Sequence, residues 1–302
     1  MIVLVTGANG LVGRHIVDKL SKEKAVVVIA QFQSDPLPSW CNNNISLLKT
    51  SFCNKNSSSL FDKVVPDVIV HCAAKIPTSA ISSEDAANIN RVIDSAIYNV
   101  ALRHNTPVIF ISSVIVYETS SAPYQEDTVL HPISPYALQK YESEFIFSAL
   151  NKSSVSFRIS SPYGGYQEPS RNVLYKFAHS ALNGENLRVY GTGNRCQDFI
   201  YAADIADAVW DVIATWISGV ELGGIYNIAS ASPISMKDLA IMIADIVGQG
   251  VVVISGEVDA DEYNNPQIDI KKAYEEFSWQ PSTSLAIGIR NVIGALRSSR
   301  CY

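Results

Sequence analysis

The sequence predicts an α/β fold in which a parallel sheet is wound by helices on both faces and is followed by a smaller mixed C-terminal region. Three observations carry this expectation. Short, wholly apolar runs rich in Val and Ile recur through the first half, as strands buried on both faces require. Segments with helical apolar spacing alternate with them, the pattern of βαβ units. A glycine-rich turn joins the first run to the first helix, and no internal repeat breaks the order.

Ile2-Val3-Leu4-Val5 reads as the first buried strand. Thr6-Gly7-Ala8-Asn9-Gly10-Leu11-Val12-Gly13-Arg14-His15 follows, and Leu11, Val12, Ile16, Val17 and Leu20 then keep a helical period. The glycines have physical work here. One lets the backbone turn tightly, one lets a pyrophosphate approach the amides, and one lets helix and strand pack closely. The helix N-terminus then points its free N–H groups at the phosphates. Gly7, Asn9, Gly10, Leu11, Val12, Gly13 and Arg14 are therefore the expected cofactor turn. Ala25 to Ala30 is the second strand. The residue at its end ordinarily separates NAD, held by an acid, from NADP, held by a base. Here the end reads Ala30-Gln31-Phe32-Gln33, with neither. Arg14 could reach a 2′-phosphate or stand as a solvated helix charge, so NAD or NADP stays open.

Residues Gln33 to Ser59 read as surface loops with a short strand at Ile45–Leu48. Asp67 to His71 is the next strand, running into Cys72-Ala73-Ala74-Lys75. Small residues at a strand's end let a flat ligand lie on the backbone, while His71 and Cys72 read as packed strand residues. Glu84 to His104 is helical by the spacing of Ile89, Val92, Ile93, Ile97, Val100 and Ala101. Asn88 and Asn90 are polar exceptions near its start: one could hold a sheet-end backbone group or the cofactor, or both could simply face water. Pro107 to Ile111 is the fourth strand. Ligands in such sheets bind beyond the strands' carboxyl ends, which places Ser112 and Ser113 where chemistry would occur.

Ser134 can cap, and Pro135 can open, a helix running to about Leu150. Tyr136 and Lys140 lie four residues apart and share one face of it. Free tyrosine titrates near ~10, and a nearby cation favours the phenolate, so the pair can exchange protons near neutral pH. Val155 to Ile159 is a further strand. A turn-rich break, Ser160 to Gly165, opens the second region. That region contains a helix (Asn172 to Leu182), a strand (Leu187 to Tyr190), the loop Gly191 to Asp198, and Phe199-Ile200-Tyr201 leading into a helix from Ala203 to about Ile217. Ile225 to Ala229 is strand-like, and Ser235 caps the helix holding Leu239 to Val247, with Asp238 in its first turn.

Composition narrows the partners. The 302 residues suffice for one large domain or two moderate ones, and 47% of them are hydrophobic. A net charge of −6 gives no electrostatic reason to bind nucleic acid. No apolar stretch could span a bilayer, and the N-terminus lacks the marks of a signal peptide. The five cysteines (Cys41, Cys53, Cys72, Cys196 and Cys301) show no CxxC or Cys/His spacing, so neither a disulfide framework nor a metal site is expected. These features point to a cytoplasmic protein.

Taken together, the motifs resemble the extended branch of the short-chain dehydrogenase/reductase superfamily, the nucleotide-sugar epimerases, dehydratases and reductases. Thr6-Gly7-x-x-Gly10-x-x-Gly13 is similar to its TGxxGxxG turn. His71-Cys72-Ala73-Ala74 resembles HxAA, and Ser112-Ser113-x-x-Val116-Tyr117 resembles SSxxVYG. Tyr136-x-x-x-Lys140 resembles YxxxK, and Arg158-Ile159-Ser160-Ser161-Pro162-Tyr163-Gly164 resembles LRxxNxYGP. Gly191-Thr192-Gly193 through Asp198-Phe199-Ile200-Tyr201 and Asp204 resembles GxGxxxRDFIYVxD.

The resemblance implies a Rossmann-type doubly wound sheet over residues 1–163, with a return of about 200–230, and a substrate region over 164–302. It implies Ser113, Tyr136 and Lys140 as catalytic residues. Tyr136 would act as acid/base, Lys140 would hold the nicotinamide ribose, and Ser113 would orient the reacting oxygen. The cofactor would also meet Gln31, Cys72, Ala73, Ala74, Lys75, Asn90, Ile111, Ser112, Ser161 and Tyr163. The substrate, a nucleotide-activated sugar, would meet Lys75, Ser113, Tyr136, Arg195 and Gln197. The expected reaction is hydride transfer at C4, by an epimerase or by a 4-ketosugar reductase. A non-catalytic NAD(P)-binding regulator is the alternative from another class. A homodimer through the helices Glu84–His104 and Pro135–Leu150 is also implied. Three departures count, the first being a serine, Ser161, in place of the LRxxNxYGP asparagine. Val114-Ile115 replace the Asp-Glu pair of the branch's dehydratases, which argues against 4,6-dehydration. Gln197 replaces the arginine of RDFIY, with Arg195 two residues earlier as a substitute.

Overall fold

The central sheet of the computed structural model contains β1 (Ile2–Thr6), β2 (Val27–Phe32), β3 (Ile45–Lys49), β4 (Val68–His71), β5 (Val108–Ser113), β6 (Val155–Ile159) and β11 (Gly224–Ile228). The described residues are 1–34, 40, 43–52, 65–118, 122–165, 172–259, 261–262 and 264–299. All seven strands are parallel, in the order β11-β6-β5-β4-β1-β2-β3. The chain winds outward from β1 in both directions. The switch in direction therefore falls between β1 and β4, where Thr6 stands beside His71.

The period of two along each strand divides the interior. Val3, Val5, Val68, Val70, Ile109 and Ile111 face one core, shared with α1 (Leu11–Leu20) and α5 (Ala202–Ile217). Leu4, Ile69, Val108 and Phe110 face the other, shared with α2 (Ser83–His104) and α3 (Pro135–Leu150). These runs need no polar alternation because helices cover both sides. On α2 the buried face is Ala86, Ala87, Asn90, Ile93, Asp94, Ile97, Val100 and Ala101. Val92, expected on that face, is exposed. The second strand begins two residues later than its apolar run suggests and continues through Gln31 to Phe32. Part of the loop expected over Gln33–Ser59, residues 35–39, 41–42 and 53–59, lies outside the described residues.

Residues 161–201 and the C-terminal third build a second core. Leu174, Phe177, Leu187, Leu239, Ile243, Ile289 and Val292 meet there, from α4 (Val173–Leu182), β8 (Asn186–Val189), α6 (Met236–Val247) and α8 (Leu285–Ser299). Three small pairs complete this part. β7 (Ser161–Tyr163) runs parallel to β10 (Phe199–Tyr201), β9 (Cys196–Gln197) antiparallel to β12 (Ile234–Ser235), and β8 parallel to β13 (Val251–Ile254). β13, α7 (Lys271–Phe277) and α8 lie in a stretch where no motif marks structure. Ser235 caps α6 as its sequence requires, accepting from Asp238 N. Among the described residues no helix is long and apolar enough to cross a membrane.

Candidate active site

The glycine turn fits a dinucleotide cradle. Gly7 has φ of +63°, and a β-carbon there would lie 2.8 Å from Ala73 Cα. A β-carbon at Gly13 would lie 2.3 Å from the Gly7 carbonyl oxygen, so α1 can start this close to β1 only without a side chain. Gly10 occupies the N-cap position of α1 and supplies no capping side chain. The first-turn N–H groups of Leu11 and Val12 thus face the turn without a side-chain cap, the arrangement that receives a phosphate. Asn9 braces the turn by donating to Ser34 O at 2.5 Å. Gln31 is 2% exposed and works inward, accepting from Gly7 N at 3.0 Å and donating to Thr50 O at 2.6 Å. Arg14 lies within α1, one position past the last glycine, and is half-buried.

Tyr136 and Lys140 sit one turn apart on α3, whose N-terminus is built as its sequence dictates. Ser134 Oγ accepts from Ala137 N, and Pro135 fills the first turn. Glu118 Oε2 accepts from both Ile133 N and Ser134 N, fixing the approach to the helix. Ser83 Oγ accepts from Tyr136 N at 3.0 Å, tying this end of α3 to the start of α2. Lys140 is buried. Its ammonium donates to Ile111 O at 2.9 Å and lies 4.6 Å from the centroid of the Phe110 ring. That bond presses the Tyr136/Lys140 face of α3 onto the carboxyl end of β5, two residues before Ser113. Ser113 is half-buried, and its Oγ accepts from Ile115 N at 3.2 Å, which leaves its own proton to donate.

Two polar clusters support these residues from below. In the first, Arg158 Nη2 meets Glu144 Oε2 at 2.8 Å, Ser112 Oγ donates to Glu144 Oε1 at 2.5 Å, and Arg158 Nη1 donates to the Tyr117 hydroxyl at 2.8 Å. Ser112 is therefore committed to the interior, on the opposite side of the strand from Ser113. In the second, His71, Asp94, Gln139, Ser143 and Asn90 form a connected network. Asn90 accepts from Lys75 N at 2.7 Å and donates to Lys75 O at 3.0 Å, so it holds the backbone of the sheet-end segment. The Lys75 side chain is exposed. Cys72 and Ala73 donate their amides to Thr6 Oγ1 at 3.2 and 3.1 Å, laying this segment, followed by Ala74, along the turn.

Burial governs the electrostatics. It pushes the Tyr136 phenol up to about 12, and the nearby Asp94 charge adds to the effect. The sequence suggests the reverse, with Lys140 drawing the phenol down. The difference follows from geometry, because the Lys140 ammonium is turned to the Ile111 carbonyl and the Phe110 face. Burial also lowers Lys140 itself, against Asp94, Cys72 and Glu144. Cys72 is pushed up to about 12 by burial, so it remains a thiol.

The second region holds the remaining expected residues. Gln197 of β9 donates to Ser161 Oγ of β7, linking the two small strand pairs. Tyr163 is fully buried in the second core, its hydroxyl against Gly288 of α8, where a β-carbon would lie 2.1 Å away. It packs there instead of facing the glycine turn. Arg195 pairs with Asp259 at 2.8 Å and borders a cavity of about 730 Å³ with Lys176, Arg188 and Tyr190. A cavity of this size accommodates a drug-sized ligand. Asp94, Gln139 and Ser143 carry no sequence motif. The legible signal was a charged residue, Asp94, on the apolar stripe of α2 between Ile93 and Ile97.

Known proteins resemble this chain along its whole length. It is 27% identical to the dTDP-4-dehydro-6-deoxyglucose reductase of Escherichia coli, covering 98% of this chain and 97% of that one. It is 26% identical to the UDP-glucose 4-epimerase of Mycolicibacterium smegmatis, covering 99% of each. Among solved structures, a UDP-N-acetylglucosamine 4-epimerase from Methanobrevibacter ruminantium, in complex with UDP-N-acetylmuramic acid, superposes with a TM-score of 0.85 at 25% identity over 98% of each chain. The model of one family matches residues 3–229, from β1 through the sheet-edge strand β11 and so over every element that carries the proposed site. With that match added to the glycine cradle and the tyrosine helix, the chain belongs to the NAD dependent epimerase/dehydratase family.

Proposed function

We propose that the protein is an NAD(P)-dependent enzyme acting on a nucleotide-activated sugar, oxidising or reducing the sugar at C4, and that epimerisation is its reaction. The observation that carries the reading is the buried Lys140 ammonium on the Ile111 carbonyl. It seats the Tyr136 face of α3 on the strand end that bears Ser113. Gly7, Gly10, Gly13 and the α1 N-terminus would hold the dinucleotide. When bound, its nicotinamide supplies a hydride acceptor and donor. As the phenolate, which the positive charge of a bound oxidised nicotinamide would favour over the neutral phenol of the free protein, Tyr136 would take the proton of the reacting hydroxyl as the carbonyl forms and return it as the carbonyl is reduced. Ser113 donates to the same oxygen and fixes its direction. Lys140 retains donors beyond the one spent on Ile111 O, and these would hold the nicotinamide ribose. Val114 and Ile115 bring no acid or base, which leaves 4,6-dehydration without its groups.

The cavity beside Arg195, lined by Lys176, Arg188 and Arg195 against Glu185 and Asp259, supports a large, anionic portion carried on the sugar, as a nucleoside diphosphate supplies. Incubation with UDP-, dTDP-, GDP- and CDP-sugars, with products resolved by chromatography, is expected to give C4 epimers without added reductant. Consumption of NADPH with a 4-keto sugar nucleotide, and no epimer from any of the four classes, would instead establish the reductase. Binding of the cofactor with no turnover of any sugar would favour the regulator.

The same reading includes a homodimer. Leu138, Tyr141, Phe145 and Ile146 on α3 and Val92 and Leu102 on α2 are exposed, and Phe145 is 73% so. A contiguous apolar face on two packed helices suits a two-fold contact with a second copy. Light scattering at micromolar concentration is expected to give the dimer mass for the wild type and the monomer mass for Phe145→Asp. A monomeric wild type would remove the proposed interface.

A further inference from the structure

One buried carboxylate under the catalytic helix has no part in the mechanism above. Asp94 is 5% exposed. It accepts from His71 Nε2 at 2.9 Å, Gln139 Nε2 at 2.7 Å and Ser143 Oγ at 2.5 Å. Gln139 and Ser143 flank Lys140 on α3.

Hydrogen-bond counting shows that His71 does not neutralise it. Thr6 Oγ1 accepts from Cys72 N and Ala73 N, which fills both lone pairs. Its own hydrogen then goes to His71 Nδ1, 2.8 Å away. An imidazole accepting at Nδ1 carries a single proton, at Nε2, and that proton is given to Asp94. The ring is neutral, and the Asp94 charge needs another partner. Glu144, the other buried carboxylate near this helix, is matched by Arg158. Lys140 is 5% exposed, and its close contacts, Ile111 O and the Phe110 ring, carry no net charge. The Lys140 ammonium and the Asp94 carboxylate are left to balance each other through space.

We infer that Asp94 is a positioning residue whose charge keeps Lys140 an ammonium in the apolar interior and whose hydrogen bonds to Gln139 and Ser143 fix the working face of α3. The inference rests on the roles proposed above for Tyr136 and Lys140. The groups that face Lys140 are Asp94 from α2, Cys72 from the end of β4 and Glu144 from its own helix. Cys72 is a thiol and Glu144 is paired, so Asp94 is the effective counter-charge. Asp94 itself faces His71 and Lys140. Burial opposes its ionisation, but the His71 hydrogen bond, then the Lys140 charge and the Ser143 hydrogen bond, outweigh that and hold it below the usual carboxylate range; a protonated His71 would add its own charge to the same effect, but the Thr6 hydrogen bond to Nδ1 disposes the ring to its neutral form. The same charge contributes to the raised Tyr136 phenol.

The test uses cofactor-free protein carrying ¹³Cε-lysine and ¹³Cζ-tyrosine, with the two signals assigned by their loss in Lys140→Met and Tyr136→Phe. Asp94→Asn is expected to move the Lys140 titration down by about one pH unit or more, and the Tyr136 titration down with it. Ser143→Ala keeps the charge and is expected to leave both in place. Should Asp94→Asn not fold, the reciprocal measurement remains. Lys140→Met must raise the Asp94 ¹³Cγ titration by the same amount, because the coupling is mutual. In turnover, both limbs of the kcat/KM profile of Asp94→Asn are expected at lower pH, whereas a scaffold defect lowers the profile with its limbs fixed. Unmoved Lys140 and Asp94 titrations would overturn the inference. Full activity in Tyr136→Phe would overturn the functional reading alone, since the titrations judge Asp94 without it.

Discussion

Tyr136→Phe is expected to lower kcat by about 10²–10⁴-fold while leaving the fold and the dinucleotide affinity close to wild type. The ring of Tyr136 remains to pack, and its amide keeps the Ser83 bond, so only the proton-carrying oxygen is lost. The size of the loss follows from the environment. Burial and Asp94 hold the phenol at about 12, so at neutral pH it is a proton donor in the free protein. Steady-state turnover with the accepted nucleotide sugar, together with a binding isotherm for the dinucleotide, checks both halves. Loss of dinucleotide binding in parallel with turnover would mean that the phenol serves binding instead of proton transfer.

The second large effect falls on stability. Glu144→Ala is expected to cost about 3–5 kcal/mol, because it strands the Arg158 guanidinium in the interior. Glu144 and Arg158 are 1% and 2% exposed, and they share contacts at 2.8, 3.1 and 3.2 Å. Ser112 and Tyr117 lose their charged partner's alignment at the same time. Replacing both ions together, as Glu144→Met with Arg158→Met, is expected to recover much of the loss, since neither charge is then left unpaired. Urea unfolding curves for the single and double variants measure the coupling. A single variant within about 1 kcal/mol of wild type would show that water reaches the site on opening the pair.

The sheet and its glycine turn were legible in the sequence because each rests on a local rule. Ile2–Val5 and Pro107–Ile111 are apolar on every residue, so a strand covered on both faces is the simplest structure for them. Gly7 and Gly13 were readable because a backbone approach of this kind admits no side chain. Tyr136 and Lys140 were readable because four residues make one helical turn. The supporting clusters were not, because they depend on pairings between elements far apart in the chain. Asn90 could be weighed as a backbone hold or a cofactor contact, and only the fold shows it gripping Lys75. Gln31 and Ser112 sit at strand ends where a ligand is expected, yet alternation turns their side chains inward. Tyr163 belongs to a turn motif, but its ring direction is set by Gly288, more than a hundred residues away. β13, α7 and α8 lack special residues, so their place was set by packing that the sequence does not announce.

The outermost strand beside β6 is β11, drawn from residues 224–228, after the chain has already visited the other lobe. During synthesis, then, the nucleotide-binding half stays unfinished until α4, β8 and α5 have left the ribosome. A piece ending near residue 163 would expose the raw margin of β6 and uncover the face that α5 shields, inviting self-association. The two halves are interlaced by topology, and any exchange of C-terminal regions between such chains must carry β11 and α5 along with the sheet they close.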